Sequence, residues 1–297
     1  MLRLYVREEW KLSNFRERIK NKKRVVVKIG SSSIIHEETG NLNFQRMEKL
    51  VRILTDIHNS GKDVVLVSSG AVGVGMKALG LSRKPRSLTM KQACAAVGQG
   101  RLIAVYQKLF SEYNQGSAQV LLTKETMLNQ VRRINAKNTF ENLFDLDMIP
   151  VVNENDTVST EEIEFGDNDT LSAVVAAVVG ADLLILLSDI DGLYTDDPSQ
   201  NKDAELISVI EVIDEKVENM GKGSHSSVGT GGMITKIAAA NIVTDAGADM
   251  VITNADDLDN LQRIFDGEEI GTLFLAHKRT NFKLLEYLEE KPYFTQR

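Results

Sequence analysis

The sequence predicts an α/β fold in which helices cover both faces of an open, mainly parallel sheet. Short β-branched and apolar runs alternate along the chain with segments whose apolar residues recur at helical spacing. This alternation is typical of a parallel sheet covered on both faces. The 297 residues can bury a sizeable core. Because no shift in composition divides the chain, we expect one domain with two lobes.

Each predicted strand is a short apolar run that ends in a polar or glycine-containing turn. Leu183–Leu187 is continuously apolar, as expected for a strand buried on both sides. The predicted strands are Val25–Ile29, Val64–Val67, Val120–Leu122, Ile149–Val152, Leu183–Leu187, Met250–Thr253 and Thr272–Leu275.

Helical periodicity fills the segments between these strands. We expect a break between two helical segments at Gly98 and Gly100, because glycine disfavours a helix interior. A charged helical tail follows the last strand. The predicted helices cover 44–57, 87–97, 101–113, 132–146, 171–179, a segment that begins near 233, and 258–265.

Composition excludes several classes of protein. The chain is 42% hydrophobic with a formal net charge of −7, and no apolar run approaches the roughly 20 residues that span a bilayer. The N-terminus does not lead into a signal-peptide core, so we do not expect secretion. Cys94 is the only cysteine, which excludes an internal disulfide and suits a reducing cytoplasm. The scattered histidines predict neither a zinc site nor a Ser-His-Asp enzyme; they are His36, His58, His225 and His277.

Charge is distributed unevenly. Residues 138–201 contain fifteen acidic residues and no Lys or Arg. If that stretch lines a site, it requires Mg²⁺, an ammonium group on the ligand, or lysines from elsewhere. Residues 11–28 contain eight bases and one acid. We interpret this basic arm as a solvated amphipathic helix, because an acidic chain disfavours nonspecific nucleic-acid binding.

The densest polar cluster lies between Ile149 and Asp169. The strand that begins at Ile149 continues into Asn153–Asp156, and Phe165–Asp169 precedes the helix predicted from Leu171. Polar groups at the end of a strand and the start of a helix mark where open α/β sheets bind ligands. The sequence therefore predicts a site for a small polar ligand.

Two lysines are candidates for phosphate chemistry. Val228–Lys236 places glycines and a threonine directly before a helix, where backbone amides can converge on a phosphate. A flexible loop without a ligand explains the same residues equally well. The segment is not a Walker A loop, because Lys236 follows Thr235. Lys28 lies in an apolar strand, so it either has an anionic partner or reaches solvent from an edge strand. The two lysines could together neutralise a phosphoryl group in transfer. Ser69–Ala71, at the end of the second predicted strand, offers a hydroxyl and a close approach of the backbone to a ligand. The alternative is a tight turn from strand to helix.

Five motifs in this order resemble those of the glutamate 5-kinases, in the amino acid kinase superfamily. They are Val27–Ser32, Val67–Val72, Val152–Asp156, Phe165–Asp169 and Gly229–Lys236, with Ser188-Asp189 and Gly192–Tyr194 matching the nucleotide loop. The resemblance covers about residues 24–277. It implies a three-layer αβα sandwich with an open, mainly parallel central sheet. It also implies that ATP, as its Mg²⁺ complex, transfers its γ-phosphoryl group to the side-chain carboxylate of L-glutamate, which is the first step of proline biosynthesis.

The same resemblance implies roles for individual residues. Lys28 and Lys236 would stabilise the phosphoryl group in transfer, and Asp169 would hold both lysines. Glutamate would contact Ser69, Asp156 and Asn168, with Asp156 suited to the α-ammonium group. ATP would contact Lys28, Ser188, Asp189, Thr230, Gly231, Gly232, Met233, Ile234, Thr235 and Lys236.

The resemblance further implies a cytoplasmic homo-oligomer, a dimer or tetramer, without nucleic-acid or membrane partners. Proline inhibits many members of the family, and the sequence leaves open whether it inhibits this chain. We expect a basic arm at residues 1–23, the kinase domain at 24–277 and a helical tail at 278–297. Many bacterial members continue into a C-terminal PUA domain, which we do not expect here.

Two alternatives stay open at this stage. Another enzyme of the same fold would act on aspartate, carbamate, N-acetylglutamate or UMP, and the choice depends on side-chain geometry. A non-catalytic amino-acid sensor would bind nucleotide without producing ADP. Retention of Lys28, Asp169 and Lys236 argues against the sensor, which does not require all three residues.

Overall fold

Eight strands form one sheet in the computed structural model, which describes residues 15–158, 167–222 and 232–289. The strands are β1 (Arg24–Ile29), β2 (Asp63–Ser68), β3 (Gly116–Leu122), β4 (Met148–Glu154), β5 (Leu183–Ser188), β6 (Val209–Ile210), β7 (Asp249–Asn254) and β8 (Thr272–Phe274). Their spatial order is β3-β4-β2-β1-β5-β7-β8-β6, and only the β7–β8 pair is antiparallel. All seven predicted strands are confirmed, whereas the two-residue β6 is too short to leave a sequence pattern.

The helices alternate with these strands. In the described part of the chain they are α1 (Ser31–Ile34), α2 (Phe44–Asn59), α3 (Ala71–Ala78), α4 (Leu88–Ser111), α5 (Lys124–Leu128), α6 (Gln130–Asp145), α7 (Asn168–Val179), α8 (Glu215–Lys222), α9 (Met233–Ala246), α10 (Asn260–Phe265) and α11 (Leu284–Glu289). None of them is both long enough and apolar enough to cross a membrane.

Strand β1 shows how the sheet separates two apolar layers. Val25, Val27 and Ile29 pack with side chains of α2, α4 and α10. Val26 points to the other face and packs with side chains of α6, α7 and α9. Because successive strand residues face opposite sides, both faces of a central strand must be apolar. The predicted three-layer αβα sandwich is confirmed.

The expected helix break at Gly98 and Gly100 is wrong, because α4 continues through both residues. A β-carbon on Gly98 would stand 1.7 Å from the carbonyl oxygen of Ala71 in α3. At the same crossing, a β-carbon on Gly75 would stand 1.8 Å from the carbonyl oxygen of Cys94. These glycines therefore allow two helix backbones to touch. Cys94 is fully buried at this crossing.

The basic arm is not simply a solvated helix. Its described part contains Arg16 and Ile19, which are both buried. The Arg16 guanidinium donates hydrogen bonds to the carbonyl oxygens of Ser208, Ile270 and Gly271 at 2.8, 2.7 and 2.9 Å. Burial lowers the pKa of Arg16 to about 10, although the Glu269 carboxylate acts in the opposite direction. This end of the arm is thus part of the folded domain; residues 1–14 lie outside the described residues.

We expect Gly98→Ala to lower the free energy of unfolding by roughly 3 kcal/mol, because its methyl group would force α3 away from α4. Gly100→Ala is the matched control in the same helix, since no atom lies within 4 Å of its added β-carbon. That variant should be neutral or gain up to about 1 kcal/mol from helix propensity. Urea unfolding followed by circular dichroism measures both, and equal stability of the two variants would contradict the close-packing role.

Candidate active site

Two adjoining cavities lie at the carboxyl ends of the central strands. The narrow one, about 90 Å³, contains Lys28 of β1, Asp169 of α7 and Lys236 of α9. The wide one, about 530 Å³, contains Asn153 of β4 and Asp156. The residues that line both cavities are Ser31, Ser32, Ser69, Asp167 and Asn168. Strands β2 and β5 flank β1 here, so the site occupies the crevice where α/β sheets bind ligands.

Both predicted lysines pair with one buried carboxylate. The Lys28 Nζ atom lies 2.6 Å from Asp169 Oδ1, and Lys236 Nζ lies 3.1 Å from Asp169 Oδ2. The three side chains are between 2% and 12% exposed, so these ion pairs are largely shielded from water. The anionic-partner interpretation of Lys28 is confirmed, and the edge-strand alternative is wrong because β1 lies between β2 and β5.

The Asp169 carboxylate stays ionised although it is buried. Burial by itself would raise its pKa, but the ammonium groups of Lys28 and Lys236 outweigh that effect and hold the pKa of Asp169 below its ordinary value. The Thr235 hydroxyl lies 3.3 Å from Asp169 Oδ2 and also 2.8 Å from the Gly232 carbonyl oxygen, so these two acceptors share its one proton. One carboxylate thus fixes two cations that come from separate parts of the sequence.

Asn168 connects the ends of two strands, β2 and β4. Its side-chain amide donates to Ser69 Oγ at 2.7 Å, to Asn153 Oδ1 at 3.0 Å and to the Ser68 carbonyl oxygen at 3.3 Å. Asn153 in turn donates to Gln99 Oε1 of α4 at 2.8 Å. The structure therefore brings together the predicted residues Ser69 and Asn168. It adds Asn153, which belonged to the sequence cluster without an assigned role.

The predicted nucleotide residues divide into three groups. Ser188 and Asp189 line the narrow cavity, and Ser188 Oγ donates to Asp189 Oδ1 at 2.9 Å. Gly232 is the N-cap of α9, whose first residue Met233 is buried in the apolar core; Ile234 and Thr235 follow in the first turn. Thr230 and Gly231 lie outside the described residues, as do Phe165 and Gly166 of the segment Phe165–Asp169.

Asp167 is a site residue to which the sequence assigned no role. It caps α7 by accepting a hydrogen bond from the Thr170 amide at 2.8 Å, and it lines both cavities. Burial and the neighbouring Asp169 carboxylate raise the pKa of Asp167 to about 6, although Lys28 and Lys236 act in the opposite direction. The signal in the sequence was its place within the Phe165–Asp169 segment of the polar cluster.

The raised pKa of Asp167 predicts a pH-dependent gain in stability for Asp167→Asn. In the unfolded chain this carboxyl titrates near 3.8, and in the folded chain near 6. Between these values the folded state binds more protons, so the contribution of this group to wild-type stability falls as pH rises from about 4 to 6 and then stays at its lowest level above 6. Asn retains the capping ability. We expect a higher melting temperature than wild type at pH 8 and a vanishing difference near pH 4.

Differential scanning calorimetry at both pH values measures this effect. Asp203→Asn, at an exposed carboxylate, is the control and should show no such trend. A gain for Asp167→Asn that is equal at pH 4 and pH 8 would disagree with a buried charge as its cause.

Comparison with known proteins agrees with this geometry. The profile of the amino acid kinase family matches residues 23–254. Glutamate 5-kinase of Carboxydothermus hydrogenoformans is 55% identical over 268 residues, which cover 90% of this chain and 72% of that protein. Glutamate 5-kinase of Clostridium tetani is 52% identical over 265 residues, which cover 89% of this chain and 99% of that protein.

Solved structures show the same fold at much lower identity. Carbamate kinase from Giardia lamblia, bound to AMP-PNP, aligns with a TM-score of 0.61 at 17% identity, over 86% of this chain and 99% of that one. UMP kinase from Bacillus anthracis aligns with a TM-score of 0.58 at 16% identity, over 86% of this chain and 96% of that one. Together with the family profile and the sequence relatives, these matches show that the chain belongs to the amino acid kinase family, within its glutamate 5-kinase group.

Proposed function

We propose that the protein transfers the γ-phosphoryl group of ATP to the side-chain carboxylate of L-glutamate, giving L-glutamyl 5-phosphate and ADP in the first step of proline biosynthesis. The observation that carries the proposal is the pairing of Lys28 and Lys236 at Asp169, beside a cavity lined by acidic and amide groups. The identity of about half of all residues with glutamate 5-kinases supports this substrate.

The chemistry requires no general base. A free glutamate side chain has a pKa of about 4.3, so the attacking carboxylate is already ionised near neutral pH. No histidine belongs to the described lining of either cavity. Catalysis then depends on alignment of the two substrates and on neutralising the charge of the transferred group.

Lys28 and Lys236 are suited to that neutralisation. A phosphoryl group in transfer spreads negative charge over its equatorial oxygens, and two ammonium groups in a cavity sheltered from water interact with that charge strongly. Asp169 would act as the positioning residue, because it holds both ammonium groups at one point and offsets part of their mutual repulsion.

Ser69, Asn168 and Asp156 are proposed to bind glutamate. Ser69 and Asn168 are hydrogen-bonded to each other where the two cavities meet, next to Lys28. Asp156 lines the wide cavity, where a carboxylate matches the α-ammonium group of an amino acid. The reacting end of glutamate would thus face the narrow cavity and its α-carbon the wide one.

ATP is proposed to bind along Ser188, Asp189 and the residues that lead into α9. In the described residues no group of three or more His, Cys, Asp or Glu side chains could hold a metal ion. Mg²⁺ fits this site as a partner of the ATP phosphates, since it is commonly bound through substrate phosphates and water rather than in a protein cage. When bound, it would supply further charge neutralisation.

The remaining expectations belong to the same proposal. We expect a cytoplasmic homo-oligomer whose catalytic domain is residues 24–277, with residues 1–23 and 278–297 as flanking segments. Proline is the feedback inhibitor to test first. The carbamate kinase and UMP kinase similarities, at 17% and 16% identity, concern the fold alone and do not favour those substrates.

The direct test is ADP release from ATP·Mg²⁺ with a panel of amino acids, with hydroxylamine present to trap an acyl phosphate as its hydroxamate. We expect glutamate-dependent ADP release with an equal yield of hydroxamate. ADP release with aspartate or carbamate instead would assign a different acceptor. Nucleotide binding without turnover on any acceptor would identify a sensor.

Lys236→Met should lower kcat by roughly 100-fold, because removing one preorganised stabilising group typically has that effect. The glutamate KM should change much less, since the lysine acts on the transferred group. Lys216→Met, at an exposed lysine of α8, is the matched control and should retain wild-type kinetics. Full activity in Lys236→Met would refute the phosphoryl role; circular dichroism checks that the variant is folded.

A further inference from the structure

The wide cavity has an unusual balance of charge. In the part of its wall that the structure describes, Lys84 is the only basic residue. The wall also contains four carboxylate side chains: Glu37, Glu154, Asp156 and Asp167. Among the side chains described on this wall, Lys84 therefore offers an entering carboxylate its one ammonium group.

Lys84 reaches the cavity from a different element than the acidic residues at the end of β4. It lies in the connection between α3 and α4, directly before Pro85. These two helices are in backbone contact at Gly75 and Gly98, which fixes the helices that the connection joins relative to each other. Proline further restricts the backbone at this point. The position of the Lys84 backbone is thus constrained, while its exposed side chain is adaptable.

The proposed substrate presents an anionic group to this cavity. When the reacting carboxylate of glutamate lies beside Lys28, its α-ammonium and α-carboxylate groups occupy the wide cavity. The acidic wall matches the ammonium group. The α-carboxylate needs a cation of its own, and the ammonium groups of Lys28 and Lys236 are held at Asp169 in the narrow cavity.

We propose that Lys84 binds the α-carboxylate of the amino-acid substrate and thereby selects for substrates with two carboxylates. This inference rests on the proposed function. It predicts that Lys84 contributes to ground-state binding rather than to phosphoryl transfer. It also predicts that the contribution disappears for a compound that lacks the α-carboxylate.

Two analogues separate the groups of glutamate. Glutarate retains both carboxylates and lacks the ammonium group, whereas 4-aminobutyrate retains the ammonium group and lacks the α-carboxylate. As competitive inhibitors they report binding without needing turnover. Lys84→Gln should weaken inhibition by glutarate and leave inhibition by 4-aminobutyrate as in the wild type.

The primary experiment is the glutamate dependence of hydroxamate formation by Lys84→Gln, Lys84→Arg and Arg83→Gln in the full-length chain. We expect Lys84→Gln to raise the glutamate KM about tenfold, as for loss of one charge-assisted hydrogen bond, with kcat and the ATP KM unchanged. Lys84→Arg should restore most of the affinity. Arg83→Gln, which removes the neighbouring exposed charge outside the cavity wall, should match wild type.

Three results would overturn the assignment: an unchanged glutamate KM in Lys84→Gln, an equal rise in Arg83→Gln, or equal weakening of both inhibitors. If neither analogue binds the wild-type enzyme, the KM comparison alone decides. Failure of the proposed function has a different signature, because the wild-type chain would then form no hydroxamate even at saturating glutamate.

Discussion

The pairing of Asp169 with Lys28 and Lys236 is the interaction on which the rest of the site depends. It joins a central strand, the first turn of α7 and the first turn of α9 at one buried point. Removing the carboxylate would leave two ammonium groups close together and shielded from water, which is strongly unfavourable. The order of the strands brings these three elements together, so the fold and the chemistry impose the same constraint.

The start of α7 organises both cavities with three consecutive residues. Asp167 caps the helix, Asn168 bonds to the ends of β2 and β4, and Asp169 pairs with the two lysines. Successive helical residues point about 100° apart, so neighbours in sequence reach different surroundings. Hence the same turn lines both cavities, which the proposed function assigns to the reacting end and to the remainder of glutamate.

The two cavities differ in charge as well as in size. On its described wall the narrow cavity has two ammonium groups and three carboxylates, whereas the wide cavity has one ammonium group, that of Lys84, and four carboxylates. On the proposed function, Lys28 and Lys236 would face the phosphoryl group, Asp156 the α-ammonium group and Lys84 the α-carboxylate, which together would orient glutamate. Orientation of this kind supplies the alignment that phosphoryl transfer between two bound molecules requires.

The sequence by itself determined the seven longer strands and the position of the polar cluster, because alternation and apolar runs are local patterns. It also indicated that Lys28 and Lys236 act together. Only the tertiary structure decided the rest. Gly98 predicted a helix end, whereas in the structure it allows the backbones of α3 and α4 to touch. Arg16 was predicted to be solvated, whereas it is buried and donates to three carbonyl oxygens. Lys84 is an ordinary loop lysine in the sequence. Each of these outcomes depends on residues far apart along the chain, and no local pattern encodes such contacts.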